Sequence, residues 1–360
     1  MTKTTPHLGL LLPLMAFAVA RGTSSAMAPE PAEPVQEEEW MRERKERSQR
    51  NREATKRKPE RRTAPTRALQ ILYERDEYAA LGEEQVGDLA SLAEAAWPTG
   101  FAGMRRLRVE RFGSQPTNPR SGYAIAVYLH EPSGLEFSLV PGGLLYMGSS
   151  DRGSDRVGDP DEEPIHRVVL DPFLIARTEC TRAAWRRVME VDPSYFVSGS
   201  EAYPVESVSH FEALEWCKTA GMDLGLPTEA QWEYACLAGA RDGSGNHPYG
   251  LGYKLKTDQA RIAMDWTDGP TEVRQYEPNR FGIFDVHGNI WEWCADWRSP
   301  YYEAVEPGTG LRSGKSLYRV ARGGSFIETA REARAANRYA FLPGDRRSYL
   351  GFRPARVLTP

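Results

Sequence analysis

A chain of 360 residues with a formal net charge of −4 can hold one large domain with an extension, or two domains, and it implies neither a polyanion partner nor a strongly acidic role for the whole molecule. Its four cysteines, Cys180, Cys217, Cys236 and Cys294, include no Cys-x-x-Cys pair and permit three complete pairings. Each lies in an apolar-patterned segment, where a free thiol acts as a small core residue, so mostly unpaired thiols are expected, with a single disulfide allowed.

In chain order the first feature is the apolar run Leu8–Ala20 after Lys3, short and closed by small residues. It reads as a secretory signal peptide and is too short to remain as a bilayer anchor. Ala-x-Ala sites end at Ala20 and Ala28, and the first is favoured because Pro29 follows the second. No cysteine follows the run, so a lipid anchor is not supported, and an exported protein, periplasmic or extracellular, is expected without a transmembrane anchor. Residues 29–66 open on Pro29, Pro31 and Pro34 and continue as a dense mixture of Arg, Lys and Glu. Such a stretch cannot bury a core and reads as a disordered tether or a solvated helix. Glutamates interleave its basic residues, so nucleic acid is not an expected partner.

Residues 67–133 read as a small N-terminal α/β extension. Leu69, Leu72 and Tyr73, then Val86, Leu89 and Leu92, recur at helical spacing, whereas 107–112 and 123–129 alternate as strands do. From 134 to 360 the texture changes to short strands, glycine turns and many aromatics. Phe137–Gly148 reads as a strand, a turn at Pro141-Gly142-Gly143 and a second strand. His166–Ile175 alternates as one strand. Thr181, Ser209 and Thr228 each stand where a helix N-cap belongs, and Gln231 completes a capping box with Thr228. Asp242–Asn246 has a glancing likeness to a calcium loop but lacks the glycine and the distant glutamate, and reads as a surface turn.

Phe281–Trp297 is the densest segment, with Trp291, Trp293 and Trp297 around Glu292. Indole rings favour burial and a carboxylate does not, unless a cation or a fan of donors meets it. Asp285 and Glu292, with carbonyls from the turn at Gly288, could hold Ca²⁺. A buried aromatic strand whose acids accept from backbone N–H groups explains the same residues. Both readings stand at this level.

The landmarks in order are Val140-Pro141-Gly142-Gly143, Glu163-Pro164-Ile165-His166-Arg167-Val168, Leu226–Ala235, Gly288–Trp293, Arg322–Phe326 and Gly351-Phe352-Arg353. Together they resemble the formylglycine-generating enzyme (sulfatase-modifying factor) domain family over about residues 135–357. The resemblance implies an α+β, C-type-lectin-like fold with little regular secondary structure; composition alone supports only mixed α and β. It also implies a copper-dependent oxidation of a substrate cysteine, carried by two cysteines after the Gly-Gly-Ser turn. Here that turn ends at Ser325, and Glu328 and Ala333 stand in the two cysteine positions. A carboxylate and a methyl group cannot hold Cu(I) as two thiolates do, so copper and formylglycine generation are not expected. The family's Ca²⁺ positions fall on Asp285, Gly288, Ile290 and Glu292, which implies a structural calcium. A second family site would carry Arg261 in place of an asparagine. The histidines form no ligand pair of the sulfoxide-synthase kind, and His166 and His287 are expected to be structural hydrogen-bonding residues. Glu328, Arg331, Arg334, Asn337 and Arg338 either line a groove for a peptide, protein or glycan ligand or form a solvated face. The expected function is a non-catalytic binding or accessory protein, the alternative a divergent metal-dependent oxidoreductase of the same family.

Overall fold

The computed structural model describes residues 81–112, 122–149, 158–238, 248–301 and 303–358. The signal peptide, the tether and the Asp242–Asn246 turn lie outside them. Three antiparallel-rich sheets and four short helices make up the described part, an α+β mixture with long irregular connections.

The first sheet has five strands in the order β1 (Met104–Phe112), β2 (Tyr123–His130), β3 (Leu135–Val140), β6 (Phe173–Ala176) and β11 (Ala355–Val357). Every pairing in it is antiparallel, and β2 registers Val127 against Ser138 of β3. The sheet therefore runs without a break across the expected boundary at 133/134, so the preceding segment extends the domain's own core. Helix α1 (Glu83–Ala96) packs on β1 and β2 through Val86, Ala90 and Ala93. Leu92, grouped with the apolar face on spacing alone, is 56% exposed, because small Ala90 and Ala93 form the contact instead.

His166–Ile175 is two strands. β5 (His166–Leu170) pairs with β4 (Gly143–Met147) in a two-stranded sheet, while β6 belongs to the five-stranded one. Pro172 has no N–H to give a ladder, and Asp171 N instead donates to Gly308 O at 2.7 Å, which turns the chain between sheets. The third sheet has the order β10 (Leu350–Gly351), β7 (Trp291–Trp297), β8 (Arg319–Arg322) and β9 (Tyr339–Phe341), with β10 and β7 parallel.

Three further helices start where their caps stand. Thr181 Oγ1 accepts from Ala184 N ahead of α2 (Arg182–Arg186). Ser209 and Glu212 close a capping box on α3 (His210–Ala220), and Thr228 and Gln231 one on α4 (Glu229–Leu237). Every residue of α4 from Glu229 to Cys236 is buried, so this helix is a core element covered on all sides and shows no polar face. All four cysteines are free and buried, so the allowed disulfide is not formed. Among the described residues no helix is long and apolar enough to cross a membrane.

Candidate functional site

Strand β7 sits between β10 and β8 and is buried from Trp291 to Cys294. Its Glu292 side chain has no solvent exposure. The carboxylate is met by Arg353, whose Nε donates to Oε2 and whose Nη2 donates to Oε1, each at 2.6 Å, and by Trp232 Nε1, which donates to Oε2 at 2.7 Å. Arg353 reaches this position because Gly351 of β10 registers with Glu292, two residues upstream of the arginine. The acid is thus satisfied by side-chain donors rather than by backbone N–H groups, with a planar guanidinium matching both oxygens.

The turn before β7 needs the left-handed region repeatedly, with φ of 55° at Asp285, 80° at Gly288 and 58° at Asn289. A Cβ on Gly288 would stand 2.3 Å from Arg261 O, so only glycine fits. Asn289 Nδ2 donates to Glu179 Oε1 at 3.0 Å, and its Oδ1 accepts from Thr271 N. Asp285 Oδ2 accepts from Arg274 N at 2.7 Å. Asp285 Oδ1 and Glu179 Oε2 are buried with no hydrogen-bond partner among the described residues. Burial, then mutual repulsion, pushes the Glu179 carboxyl well above its usual range; burial also raises Asp285, against the Arg274 amide and the Arg353 charge. The orphaned Asp285 oxygen fits a hard cation that also takes main-chain carbonyls. Glu292 fits less well, since Arg353 and Trp232 already engage both of its oxygens. Among the described residues no group of three or more His, Cys, Asp or Glu side chains is arranged to hold a metal. Of the second expected calcium position, Arg261 instead spends its guanidinium on the carbonyls of Asp268 and Gly269.

Next to β7, the turn after β8 brings Ser325 and Glu328 together. Ser325 Oγ donates to Glu328 Oε2, and Trp291 Nε1 donates to Glu328 Oε1 at 3.1 Å. The half-buried carboxylate is therefore held in one orientation by a hydroxyl and an indole. Ala333 is fully buried and packs on Gly324, whose Cβ would meet Ala333 Cα at 2.9 Å. Its carbonyl accepts from His287 Nδ1 at 2.8 Å, and His287 Nε2 accepts from Gly250 N at 3.1 Å, which assigns the neutral Nδ1–H tautomer. Cys236 Sγ lies 3.7 Å from that Nε2. Burial lowers His287 to about 4 and raises the Cys236 thiol, so this pair is a neutral core contact and not an activated nucleophile. His166 is structural too: its Nδ1 meets Pro164 O, and its Nε2 accepts from Arg312.

Two of the arginines after Glu328, Arg334 and Arg338, lie neither in a groove nor on a solvated face. Arg334 is buried against Glu162, with both Nη atoms at 2.7 Å, and Arg338 is buried against Glu229 at 2.5 and 2.7 Å. Arg331 pairs at the surface with Asp159, and Asn337 donates to Glu332 O. Glu229 also faces Arg322 at 3.1 Å and Arg312 at 3.7 Å. Burial opposes its ionisation, but the Arg338, Arg322 and Arg312 charges together hold it near 2. Spacing could not reveal this, because Arg334 and Arg338 stand 172 and 109 residues from their partners. The Gly-Phe-Arg landmark was the one available signal for Arg353.

Around Glu328 the surface is aromatic. Trp291 contacts Tyr339 at 5.3 Å between centroids, Tyr339 contacts Phe341 at 4.8 Å, and Trp266 reaches Tyr349, Phe326 and Tyr195 at 6.2, 6.3 and 6.2 Å. Tyr339, Trp266 and Tyr195 are 51%, 44% and 63% exposed.

Residues 130–358 match the family model of the sulfatase-modifying factor enzyme 1-like domain. A formylglycine-generating enzyme of Streptomyces coelicolor is 33% identical over 216 residues, 55% of this chain and 65% of that one. A protein of Chlamydia pneumoniae named serine/threonine-protein kinase pkn1 is 30% identical over 253 residues, 63% of this chain; the chain spans only 38% of that relative's length. Among solved structures, PvdO from Pseudomonas aeruginosa is 27% identical with a TM-score of 0.54, over 64% of this chain and 98% of that one. Treponema denticola variable protein 1 is 25% identical with a TM-score of 0.52, over 62% of this chain and 96% of that one. With its aromatic β7 strand, its Gly-Gly-Ser turn and its Glu292–Arg353 pair in one scaffold, this chain belongs to the sulfatase-modifying factor domain family.

Proposed function

We propose that the chain is an exported, non-catalytic binding or accessory protein, which uses the aromatic surface around Glu328 to hold a polypeptide segment. One observation carries this reading: Ser325 and Trp291 fix the Glu328 carboxylate where the resemblance expects the first cysteine, and Ala333 is buried where it expects the second. Neither side chain supplies the soft thiolate that Cu(I) requires, and the four thiols of the chain are buried elsewhere. The exposed aromatics suit an amphipathic ligand, and the Glu328 carboxylate among them suits a segment that presents a lysine or arginine. A structural Ca²⁺ belongs to the same proposal, held by Asp285 with carbonyls of Gly288 and Ile290 and the remaining lone pairs of Glu292. It would neutralise the buried acids and stiffen the turn.

The full chain, offered Cu(I), air and a Cys-x-Pro-x-Arg peptide, is expected to form no aldehyde captured by a hydrazide probe; aldehyde formation overturns the non-catalytic reading. Elemental analysis should find calcium alone, and stoichiometric copper or iron would favour a divergent oxidoreductase. Peptides selected from a displayed random library should carry a basic residue and lose binding on Glu328→Ala or Tyr339→Ala. Selection of clones indifferent to both changes, or binding only to a glycan array, removes the peptide reading.

A further inference from the structure

A second site lies away from the Glu328 surface. A cleft of about 210 Å³ opens where the turn after α1 meets the C-terminal strand and the start of α4. Arg356 lines it, is almost wholly buried, and sends Nη2 to Thr99 O at 2.6 Å and Nη1 to Ala102 O at 3.1 Å. Its Nε has no hydrogen-bond partner among the described residues. The one carboxylate paired with this guanidinium, Asp223, is 3.8 Å away and 95% exposed. Solvent screening leaves such a contact weak, so a buried positive charge faces the cleft without a close counter-ion.

Two other lining groups are donors, and the exposed Asp223 carboxylate lines the cleft beside them. Gln231 Oε1 accepts from Thr228 N at 3.0 Å, which leaves the NH₂ end of its carboxamide for the cleft. The register of β11 decides where the Val357 amide points. Ala176 N donates to Pro354 O at 2.9 Å, while Ala355 exchanges both of its main-chain bonds with Gly225, at 2.9 and 2.8 Å. Antiparallel bonding alternates along a strand, so Val357, like Ala355, turns its N–H away from β6. No strand continues past the Gly225–Ala355 bridge among the described residues, and the amide stands on an open edge. Leu226 and Ala355 add an apolar wall.

We propose that this cleft binds a short-chain carboxylate, with the Arg356 guanidinium and the Val357 and Gln231 N–H groups on its oxygens and the alkyl chain against Leu226 and Ala355. A cavity of about 150 Å³ is enough to hold benzene, so a volume of about 210 Å³ suits a small acid. The proposal is independent of the Glu328 surface, since none of that surface's residues line the cleft.

The test is isothermal titration of the full chain with sodium butyrate, against sodium chloride at matched ionic strength and against inorganic phosphate. Saturable binding of butyrate is expected, weakened at least tenfold by Arg356→Met. Asp223→Ala should tighten it severalfold, by removing the carboxylate that competes for the guanidinium. Because Arg356→Met also cuts the ties to Thr99 and Ala102 and could unfold the turn, Gly225→Leu is the second variant. Gly225 lines the cleft and a Cβ there meets nothing within 4 Å, so a leucine side chain is expected to occupy the cleft and abolish binding while leaving the Arg356 ties to Thr99 and Ala102 in place. The absence of saturable butyrate binding, a preference for phosphate, or butyrate binding that survives Gly225→Leu each overturns the proposal.

Discussion

Replacing Arg353 with methionine tests the centre of the structure directly. The wild-type guanidinium holds both oxygens of Glu292 at 2.6 Å and also donates to Phe284 O at 3.0 Å and Ala176 O at 3.2 Å. Methionine fills much of the volume but leaves a fully buried carboxylate with one donor, Trp232 Nε1. Removing one partner of a buried pair costs about 3–5 kcal/mol, a large share of the roughly 5–15 kcal/mol that holds a domain together. Glu292→Leu should cost a similar amount, because it strands the arginine. The double variant should cost less than the sum of the two, with a coupling of at least about 2 kcal/mol, since no buried charge is then left alone. Urea titrations followed by tryptophan fluorescence, with Trp232 and Trp291 beside the pair, measure all three. A single-variant cost below about 1 kcal/mol, or simple additivity, refutes the reasoning. Run in calcium and in chelator, the same titrations separate the two cation roles: the Arg353 cost should persist in both, while Asp285→Asn should remove the calcium dependence.

Gly288→Ala should destabilise by more than about 2 kcal/mol, because a Cβ would overlap Arg261 O at a φ of 80°; a midpoint within experimental error of the parent would contradict this. Thr228→Ala should cost about 1–2 kcal/mol, since it removes both the cap on Gln231 N and the bond to Thr309 O, whereas Thr228→Ser should recover most of it in the same urea assay. Relative to the double variant Glu206→Gln/Asp296→Asn, the melting temperature of the parent should fall from about pH 4.5 to 7. Burial raises Glu206 and Asp296 to about 7, so between about pH 4.5 and 7 the folded state keeps two protons that the unfolded chain has released, and that stability is lost across this window and is gone above it. At about 1.4 kcal/mol per pKa unit each contributes on the order of 3 kcal/mol, and Glu206→Gln should flatten the slope by about half. On the acid side Glu229, held near 2, contributes stability present above 4.5 and lost as pH falls toward 2. A parent-minus-variant difference that stays flat from about pH 4.5 to 7 would mean that these two carboxyls are ionised in the folded protein.

Local chemistry was legible in the sequence wherever a few adjacent residues decide it. Thr181, Ser209 and Thr228 start their helices because a side-chain oxygen meets an amide two or three residues on, a contact that needs no tertiary partner. The strand β7 and a turn at Gly288 were visible for the same reason, whereas the fold, and the reading of Glu328 and Ala333 as replaced cysteines, came only through the family resemblance. His166–Ile175 was misread as one strand because alternation cannot tell which sheet a residue joins. Leu92 was misplaced on a core face because large apolar residues dominate periodicity, while the helix contact is made by alanines.

What only the tertiary structure decided is the balance of buried charge. Arg334 and Arg338 read as a surface group from their spacing, yet each ends inside the molecule against a glutamate far away in the chain. The same holds for Glu292, where the sequence posed a buried acid between tryptophans and the fold answered with Arg353. A buried ion is tolerable only when its partner arrives at hydrogen-bonding distance, and that distance is set by the meeting of β10 with β7, which no local pattern encodes.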